Sequence, residues 1–215
     1  MGRVQIELFT TLDLVAQAPG GPEEDLSGRF AYGGWQAPLI DEEMGAQIGA
    51  AYEGTDALLL GRRTYDIFAA YWPHQEDGPD AGFAALFNSI PKYVASRGTP
   101  DLSWEGSTQL GPDLPAAVRE IRERHEHVTV VGSVDLVQTL LREKLFDRLD
   151  LWVHPLVLGA GKKVFDAGTV PTNLTLLEAP ATSPKGTVFL QYGVGEGVPR
   201  TGDMSKPDLG LGEDA

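Results

Sequence analysis

The strongest constraint on this fold is a pairing that recurs along the chain, in which a short apolar run is followed by a helical pattern. Apolar, strand-forming runs occupy residues 4–9, 56–61, 92–96 and 127–132. Helical patterns, three of them opened by a capping Asp or Ser, occupy residues 41–52, 62–72, 80–89, 113–124 and 133–145. Strands that alternate with helices predict a central, mostly parallel sheet covered by helices.

The alternation of strand and helix patterns ends at about residue 148. The segments 149–159, 173–179 and 186–192 are strand-like and have only loops between them, which favours antiparallel pairing at one end of the sheet. Residues 195–215 hold five glycines and five acidic residues but no aromatic residue, so they cannot offset the entropy cost of ordering. We therefore predict one α/β domain over residues 1–194 and a flexible acidic tail over residues 195–215.

Charge and cysteine content exclude several classes of protein. Seventeen basic and 31 acidic side chains give a net charge of −14, a field that repels nucleic acids. The chain has no cysteine, which excludes disulfides, thiolate nucleophiles and cysteine-ligated zinc. Because we find no targeting segment and no zinc spacing among the four histidines, we expect a cytoplasmic protein that binds no metal, membrane or nucleic acid.

Three predicted strands end in a small residue and continue into groups that bind oxyanions. The three strand ends are Gly61-Arg62-Arg63-Thr64, Ser96-Arg97 and Gly132-Ser133-Val134. Free N–H groups at a helix start, guanidinium groups and hydroxyls bind phosphates, and ligands of open α/β sheets bind beyond the carboxyl ends of the strands. Any one of these segments could be an ordinary helix start with a solvated arginine, but the three together favour a nucleotide with several phosphates.

The long segment 11–34 contains five glycines and two prolines and shows no sustained periodicity. A stretch of that length without regular structure is usually functional in a compact domain. We interpret it as a lid over an active site.

These segments, taken in order, resemble the dihydrofolate-reductase-like proteins, in particular the reductase domain of the bifunctional riboflavin-biosynthesis deaminase-reductase and its stand-alone bacterial relatives. The likeness covers residues 3–193. It is carried by TLDLVAQAPGGPEED at 11–25, ALLLGRRTYDIFAAYWP at 57–73, KYVASR at 92–97, VVGSVDLVQTLL at 130–141 and HPLVLGAGKKVF at 154–165. The resemblance implies a dihydrofolate-reductase-like fold, with a mostly parallel mixed sheet, flanking helices and antiparallel C-terminal strands.

By the same resemblance, the cofactor is NADPH. Its 2′-phosphate end would lie against Gly61, Arg62, Arg63, Thr64, Ser96 and Arg97. Its pyrophosphate would lie against Gly132, Ser133 and Val134, with Leu136 beside them, and its nicotinamide would lie near Leu158 and Gly159. Residues 13–25 would form the lid, and the chain would pair as a homodimer.

The substrate implied by the resemblance is a small heterocycle similar to 5-amino-6-(5-phosphoribosylamino)uracil, whose sugar would be reduced. Asp13 is the candidate proton donor, and Gln17 and Trp35 are candidates to hydrogen-bond and stack on the heterocycle. Packing of the loop accounts equally well for Gln17 and Trp35.

Two positions depart from the family pattern. Leu14 stands where relatives commonly have glycine, and Gly132-Ser133 stands where dihydrofolate reductases have a Gly-Gly pair, so a true dihydrofolate reductase is the less favoured member. Other classes of function remain open: a non-catalytic nucleotide- or ligand-binding protein with the same fold, or an interaction module that acts as an obligate dimer.

Overall fold

The computed structural model describes residues 1–205, in which nine strands form one mixed sheet. The strands are β1 (Arg3–Thr11), β2 (Ala57–Gly61), β3 (Lys92–Ala95), β4 (Ser107–Gln109), β5 (His127–Val130), β6 (Arg148–His154), β7 (Leu174–Leu176), β8 (Ala181–Thr182) and β9 (Val188–Val194). Their order across the sheet is β4-β3-β2-β5-β1-β6-β9-β7, with β8 paired to β9. The pairs from β4 through to β6 are parallel, whereas β9 runs antiparallel to its neighbours.

Five α-helices connect these strands. They are α1 (Glu42–Ala51), α2 (Arg62–Tyr71), α3 (Ala81–Ser89), α4 (Leu114–Arg124) and α5 (Val134–Arg142). Short 3-10 turns lie at Ser27–Arg29, Ala37–Leu39 and Trp72–His74. The mostly parallel mixed sheet with flanking helices and the antiparallel C-terminal strands predicted from the sequence are therefore confirmed.

The central strand β1 is buried on both faces because β5 and β6 flank it and helices cover the sheet. Val4, Ile6 and Leu8 point to one face and join the main core, which also contains the apolar faces of α4 and α5. Side chains alternate along a strand, so Gln5 and Glu7 point to the other face. Both are buried, at 1% and 2% exposure, which makes this second face unusual for its polarity.

A second core lies on the other side of β2. Leu58 and Leu60 pack there with Tyr65, Phe87 and other aromatic side chains. The two clusters hold β2 between them, as expected for a strand buried on both faces in a parallel sheet.

The structure differs from the sequence-based prediction in several details, two of which have a clear local cause. Strand β4 was not predicted, since Ser107–Gln109 is short and partly exposed and has no apolar pattern; its pairing with β3 supplies the strand conformation. Helix α5 ends at Arg142 rather than at residue 145, because Leu145 donates its N–H to the Leu140 carbonyl and turns the chain.

The last strand ends at Val194, at the predicted boundary of the domain. Residues 195–205 contain no helix or strand, and the rest of the predicted tail, residues 206–215, lies outside the described residues. Within residues 1–205, none of the helices combines the length and the apolar character needed to cross a membrane.

Candidate functional site

The carboxyl ends of β2, β3 and β5 lie side by side in the sheet and open on one large cavity. Its volume is about 1910 Å³, larger than the several hundred cubic ångströms that a single drug-sized ligand occupies. The predicted substrate-binding residue Gln17 lines one part of it. The predicted cofactor-binding residues that line another part are Gly61, Arg62, Arg63, Thr64, Ser96, Arg97, Gly132, Ser133, Val134 and Leu136. We call this end of the cavity the strand-end cradle.

Two helices begin at the strand-end cradle without a side-chain cap. The N-cap residues Gly61 of α2 and Ser133 of α5 make no side-chain hydrogen bond to the first turn. By contrast, Asp41 and Asp113 cap α1 and α4 with their carboxylates. The first backbone N–H groups of α2 and α5 therefore have no capping side chain, and the positive ends of both helix dipoles lie beside the cavity.

The backbones of these two helix starts approach each other closely. Gly132 has φ 138°, and a Cβ atom there would lie 2.7 Å from the Thr64 hydroxyl oxygen. A Cβ atom on Gly61 would overlap the side chain of Ser133. Glycine is required at both positions, since any larger residue would force the two helix starts apart.

The three arginines of the strand-end cradle have different partners. Arg62 binds Asp66 on its own helix through Nε, at 2.7 and 2.9 Å to the two carboxylate oxygens. Arg63 donates to Asp25 at 2.7 Å. Arg97 has no ion pair within the part of the chain that the structure describes, so its charge is the least compensated of the three.

Two ion pairs of Asp25 hold the predicted lid, residues 13–25, against the rest of the domain. This carboxylate accepts from Arg63 at 2.7 Å and from Lys162 at 2.9 Å. Partial burial opposes its ionisation, but hydrogen bonds from Ser27, Lys162 and Arg63 outweigh burial and hold the pKa of Asp25 well below its usual range. Residues 16–25 line the cavity, so the segment forms one of its walls.

Asp13, the candidate proton donor, is not among the residues that line the cavity. Its carboxylate accepts from the Thr11 hydroxyl at 2.6 Å and from the backbone N–H groups of Leu158 and Gly159 at 3.2 and 2.9 Å. The Thr11 hydrogen bond, reinforced by those backbone donors, lowers the pKa of Asp13 to about 2. An ionised group that joins two loops is unsuited to donate a proton near neutral pH, and the structure offers no support for that role.

Gln17 and Trp35, the candidate substrate-binding residues, are both buried, and their polar groups are hydrogen-bonded within the loop region. The Gln17 amide donates to the carbonyls of Asp25 and Ser27 and accepts from the Lys162 N–H. Trp35 donates its indole N–H to the Gln17 carbonyl at 2.8 Å and does not line the cavity. These contacts are those of loop packing, which the sequence analysis left open as the alternative.

The structure does not bring Leu158 and Gly159 to the cavity either. Their backbone N–H groups are held by Asp13, as described above. Leu14 adopts φ 64°, the left-handed conformation that favours glycine, and its side chain packs on the main core. The chain thus keeps the turn at this position with a leucine in a conformation that suits glycine better.

No pattern in the sequence predicted the other part of the cavity, which we call the inner chamber. It is lined by side chains from β1, from the segment 36–52 and from the segment 68–87. They are Glu7, Phe9, Gln36, Ile40, Ile48, Tyr52, Phe68, Tyr71, Trp72, Asp80, Phe83 and Phe87. The aromatic rings pack edge to face, with Trp72 and Phe87 centroids 4.9 Å apart and Tyr52 and Phe87 centroids 5.3 Å apart.

Glu7 is the most unusual residue of the inner chamber. Its Oε1 accepts from the Trp152 indole N–H at 3.1 Å, while Oε2 is buried and has no hydrogen-bond partner among residues 1–205. Burial, together with the nearby carboxylate of Asp150, raises the pKa of Glu7 to about 8. One sequence signal pointed to it: a carboxylate within the apolar run 4–9, which a strand buried on both faces does not readily accept.

Comparison with known proteins agrees with the fold. The RibD C-terminal domain model matches residues 3–188. The uncharacterized protein YyaP of Bacillus subtilis (strain 168) is 28% identical over 193 residues, which cover 88% of this chain and 94% of that protein.

Solved structures with lower identity share the fold. A protein from Shewanella sp. PV-4, provisionally named as a riboflavin biosynthesis protein, superposes with a TM-score of 0.68 at 17% identity, covering 91% of this chain and 100% of that one. A pyrimidine reductase-like protein from Corynebacterium diphtheriae superposes with a TM-score of 0.56 at 15% identity, covering 91% of this chain and 93% of that one. Dihydrofolate reductase from Enterococcus faecalis, complexed with NADP(H) and RAB-propyl, superposes with a TM-score of 0.57 at 12% identity, covering 91% of this chain and 98% of that one.

The family model spans nearly the whole folded domain, from β1 to the first residue of β9, and includes both the strand-end cradle and β1 of the inner chamber. On that match, this chain belongs to the RibD C-terminal domain family.

Proposed function

We propose that this protein is an NADPH-dependent reductase of a small heterocyclic compound. The observation that carries the proposal is the continuity of one cavity from the strand-end cradle to the inner chamber. A volume of about 1910 Å³ exceeds that of one small-molecule site, and the two ends differ in character. One end offers backbone N–H groups and arginines, and the other offers aromatic rings.

The residues of the strand-end cradle fit a dinucleotide phosphate. Gly61 and Gly132 allow the two helix starts to approach closely, so the uncapped backbone N–H groups of α2 and α5 lie side by side and can bind an anionic group. Arg97 and the Ser96 hydroxyl lie at the neighbouring strand end, where they would bind a 2′-phosphate. The concentration of positive charge at this end is needed in a chain whose net charge is −14.

When bound, a reduced nicotinamide supplies a hydride to an acceptor carbon. The chain's own task is to bind the cofactor's phosphates at the strand-end cradle, to hold the acceptor in the inner chamber and to exclude water there. Phe68, Trp72 and Phe87 provide apolar surface for that exclusion, and the lid held by Asp25 closes one side of the cavity.

The proposal is tested by titrating the purified protein with NADPH and with NADH. We expect NADPH to bind more tightly, because only NADPH carries the 2′-phosphate that Arg97 would bind. Arg97→Ala should weaken NADPH about tenfold or more, the effect of losing one charge-assisted hydrogen bond, and should leave NADH unchanged. Arg119→Ala is the matched control, since Arg119 is exposed on α4 and does not line the cavity.

Equal affinity for NADPH and NADH, or equal effects of the two substitutions, would count against the proposal. Binding of NADPH without oxidation of NADPH by any heterocycle offered would favour the non-catalytic binding protein instead. The homodimer expected from the family resemblance stays a prediction, which sedimentation equilibrium of the full chain would test.

A further inference from the structure

We infer that the inner chamber binds a flat, uncharged heterocycle that carries no phosphate, and that one edge of its ring hydrogen-bonds to Glu7 and Gln36. This inference deepens the proposed function by naming its substrate class. It differs from the expectation drawn from the resemblance, a ribosylaminopyrimidine phosphate. Three observations carry it: the segments from which the cations come, the unpaired polar atoms of lining residues, and the aromatic lining.

None of the cations that line the cavity within residues 1–205 comes from the three segments that form the inner chamber. They are Arg62, Arg63, Arg97, Arg142 and Lys162, which belong to the strand-end cradle, to α5 and to the segment beside the lid. Along β1, the segment 36–52 and the segment 68–87, no Lys or Arg lines the cavity in the described structure, whereas Glu7 and Asp80 do. A phosphate or carboxylate placed in the inner chamber would lose its hydration without gaining a cation.

Buried polar atoms without a partner mark where a ligand edge would sit. Three such atoms belong to cavity-lining residues: Oε2 of Glu7, Nε2 of Gln36 and Nε1 of Trp72. Glu7 and Gln36 are only 2% and 4% exposed. Polar atoms buried this deeply are nearly always hydrogen-bonded, so the pattern indicates a ligand that offers both donors and acceptors.

Aromatic side chains line the same part of the cavity. Tyr52, Phe68, Trp72 and Phe87 pack against one another with centroid separations between 4.9 and 6.0 Å. Aromatic walls of this kind bury planar rings well. A planar heterocycle with N–H and C=O groups along one edge meets all three conditions.

Glu7 would hold a proton in this complex. The titratable and charged groups that face it are Asp150 and Arg148 from β6 and Tyr52 after α1. Arg148 lies 2.7 Å from Asp150 and compensates that carboxylate, so Glu7 has no ion-pair partner of its own within residues 1–205. In a reduction, a bound reduced nicotinamide would supply the hydride to one atom of the acceptor's double bond. Oε2 of Glu7 would supply the proton to the other atom and would then regain a proton from water.

The test uses the full chain without NADPH, so that it does not depend on turnover. The probes are quinazoline-2,4-dione, a flat uncharged bicycle with alternating N–H and C=O groups, and its 7-carboxylate, both titrated by calorimetry. At about pH 6.5, where Glu7 keeps its proton, we expect the uncharged probe to bind at least about tenfold more tightly than the carboxylate. Equal or tighter binding of the carboxylate would overturn the inference.

Variants locate the binding. Glu7→Gln keeps the shape and a hydrogen-bond donor, so its affinity at about pH 6.5 should stay within about threefold of the parent protein, whereas Glu7→Leu should lose about tenfold or more. At about pH 9 the parent protein should bind more weakly than Glu7→Gln, because only its carboxyl group ionises. Trp72→Phe should weaken binding and Arg97→Ala should not. An unchanged affinity in both Glu7 variants would overturn the inference.

A separate experiment tests whether the substrate carries a phosphate. With NADPH present, a ribosylaminopyrimidine should be reduced at least as fast as its 5′-phosphate, and a clear preference for the phosphate would overturn the inference. If NADPH does not bind at all while quinazoline-2,4-dione binds as expected, the proposed function fails and the assignment of the inner chamber stands.

Discussion

The indole N–H of Trp152 donates to Oε1 of Glu7 at 3.1 Å, and the ring of Trp152 stacks on Phe189 with their centroids 3.8 Å apart. Trp152 is fully buried, so its ring has no room to turn. One oxygen of Glu7 is thereby fixed, and the other is held at the wall of the inner chamber without a partner. The two strands β1 and β6 that carry these residues are the most extensively paired in the sheet.

The first prediction concerns stability against pH. Because burial raises the pKa of Glu7 to about 8 from an ordinary 4.5, its stabilising effect is complete below pH 4.5 and is lost as the pH rises through 8. Between about pH 6.5 and 8, the free energy of unfolding should fall by up to about 1.4 kcal/mol per pH unit. Urea denaturation at several pH values measures this slope.

Glu7→Gln is the control, since it cannot titrate and should flatten the slope. Other shifted groups act outside this window: the pKa of Asp150 is raised to about 6 by burial, and that of His127 is lowered to about 4 by burial and by Arg3. Burial lowers the pKa of Lys92 to about 8. Its titration therefore makes the free energy of unfolding rise with pH, but only above about pH 8. Identical slopes in the two proteins would contradict the prediction.

The second prediction is that Asp13 stabilises the fold but does not donate the proton in the reduction. Asp13→Asn should reduce stability by about 1–2 kcal/mol, because the carboxylate that joins Thr11 to Leu158 and Gly159 loses an acceptor. Its rate of NADPH oxidation should stay within about threefold of the parent protein, measured well below the melting temperature. A loss of about a hundredfold in kcat with a normal melting temperature would restore Asp13 as the proton donor.

The third prediction concerns the lid. Asp25→Asn removes the charge that Arg63 and Lys162 share, so we expect residues 13–25 to open and to be cleaved faster in limited proteolysis. Because the pKa of Asp25 is depressed, the same opening should occur in the parent protein as the pH falls below the ordinary range of an aspartate. Glu23→Gln is a matched control, since Glu23 lines the same loop and makes no ion pair in the described structure. Equal cleavage rates in both variants would show that Asp25 does not hold the lid.

The fourth prediction tests the close approach of the two helix starts. Gly132→Ala places a Cβ atom 2.7 Å from the Thr64 hydroxyl oxygen at φ 138°, so it should cost about 1–3 kcal/mol of stability and weaken NADPH binding strongly. Gly111→Ala is the comparison, since Gly111 also lines the cavity but a Cβ atom there meets nothing within 4 Å. Thermal melts and NADPH titrations of both variants measure the difference. Equal behaviour of the two would show that the approach at Gly132 is not needed.

The sequence by itself determined the fold class, the sheet with its antiparallel end and the strand-end cradle, because those depend on local patterns. Apolar runs that end at Gly61 and Gly132 and continue into helix starts with arginines or a hydroxyl are visible in the order of residues, and parallel strands bring their carboxyl ends to one edge. The side-chain cap expected from Ser133 is not formed. The resemblance added the expected cofactor and the bounds of the lid, but it also directed attention to Asp13, Gln17 and Trp35, whose partners within the loop no local pattern reveals.

Only the tertiary structure decided what faces the cavity. Glu7, Gln36 and Trp72 come from three distant segments, and each looks ordinary or misplaced in its own segment. Their unpaired atoms become meaningful only when the sheet brings β1 beside the aromatic side chains of 52–87. The physical reason is that hydrogen-bond satisfaction and burial are properties of contacts between remote residues, whereas helix and strand patterns are properties of neighbours along the chain.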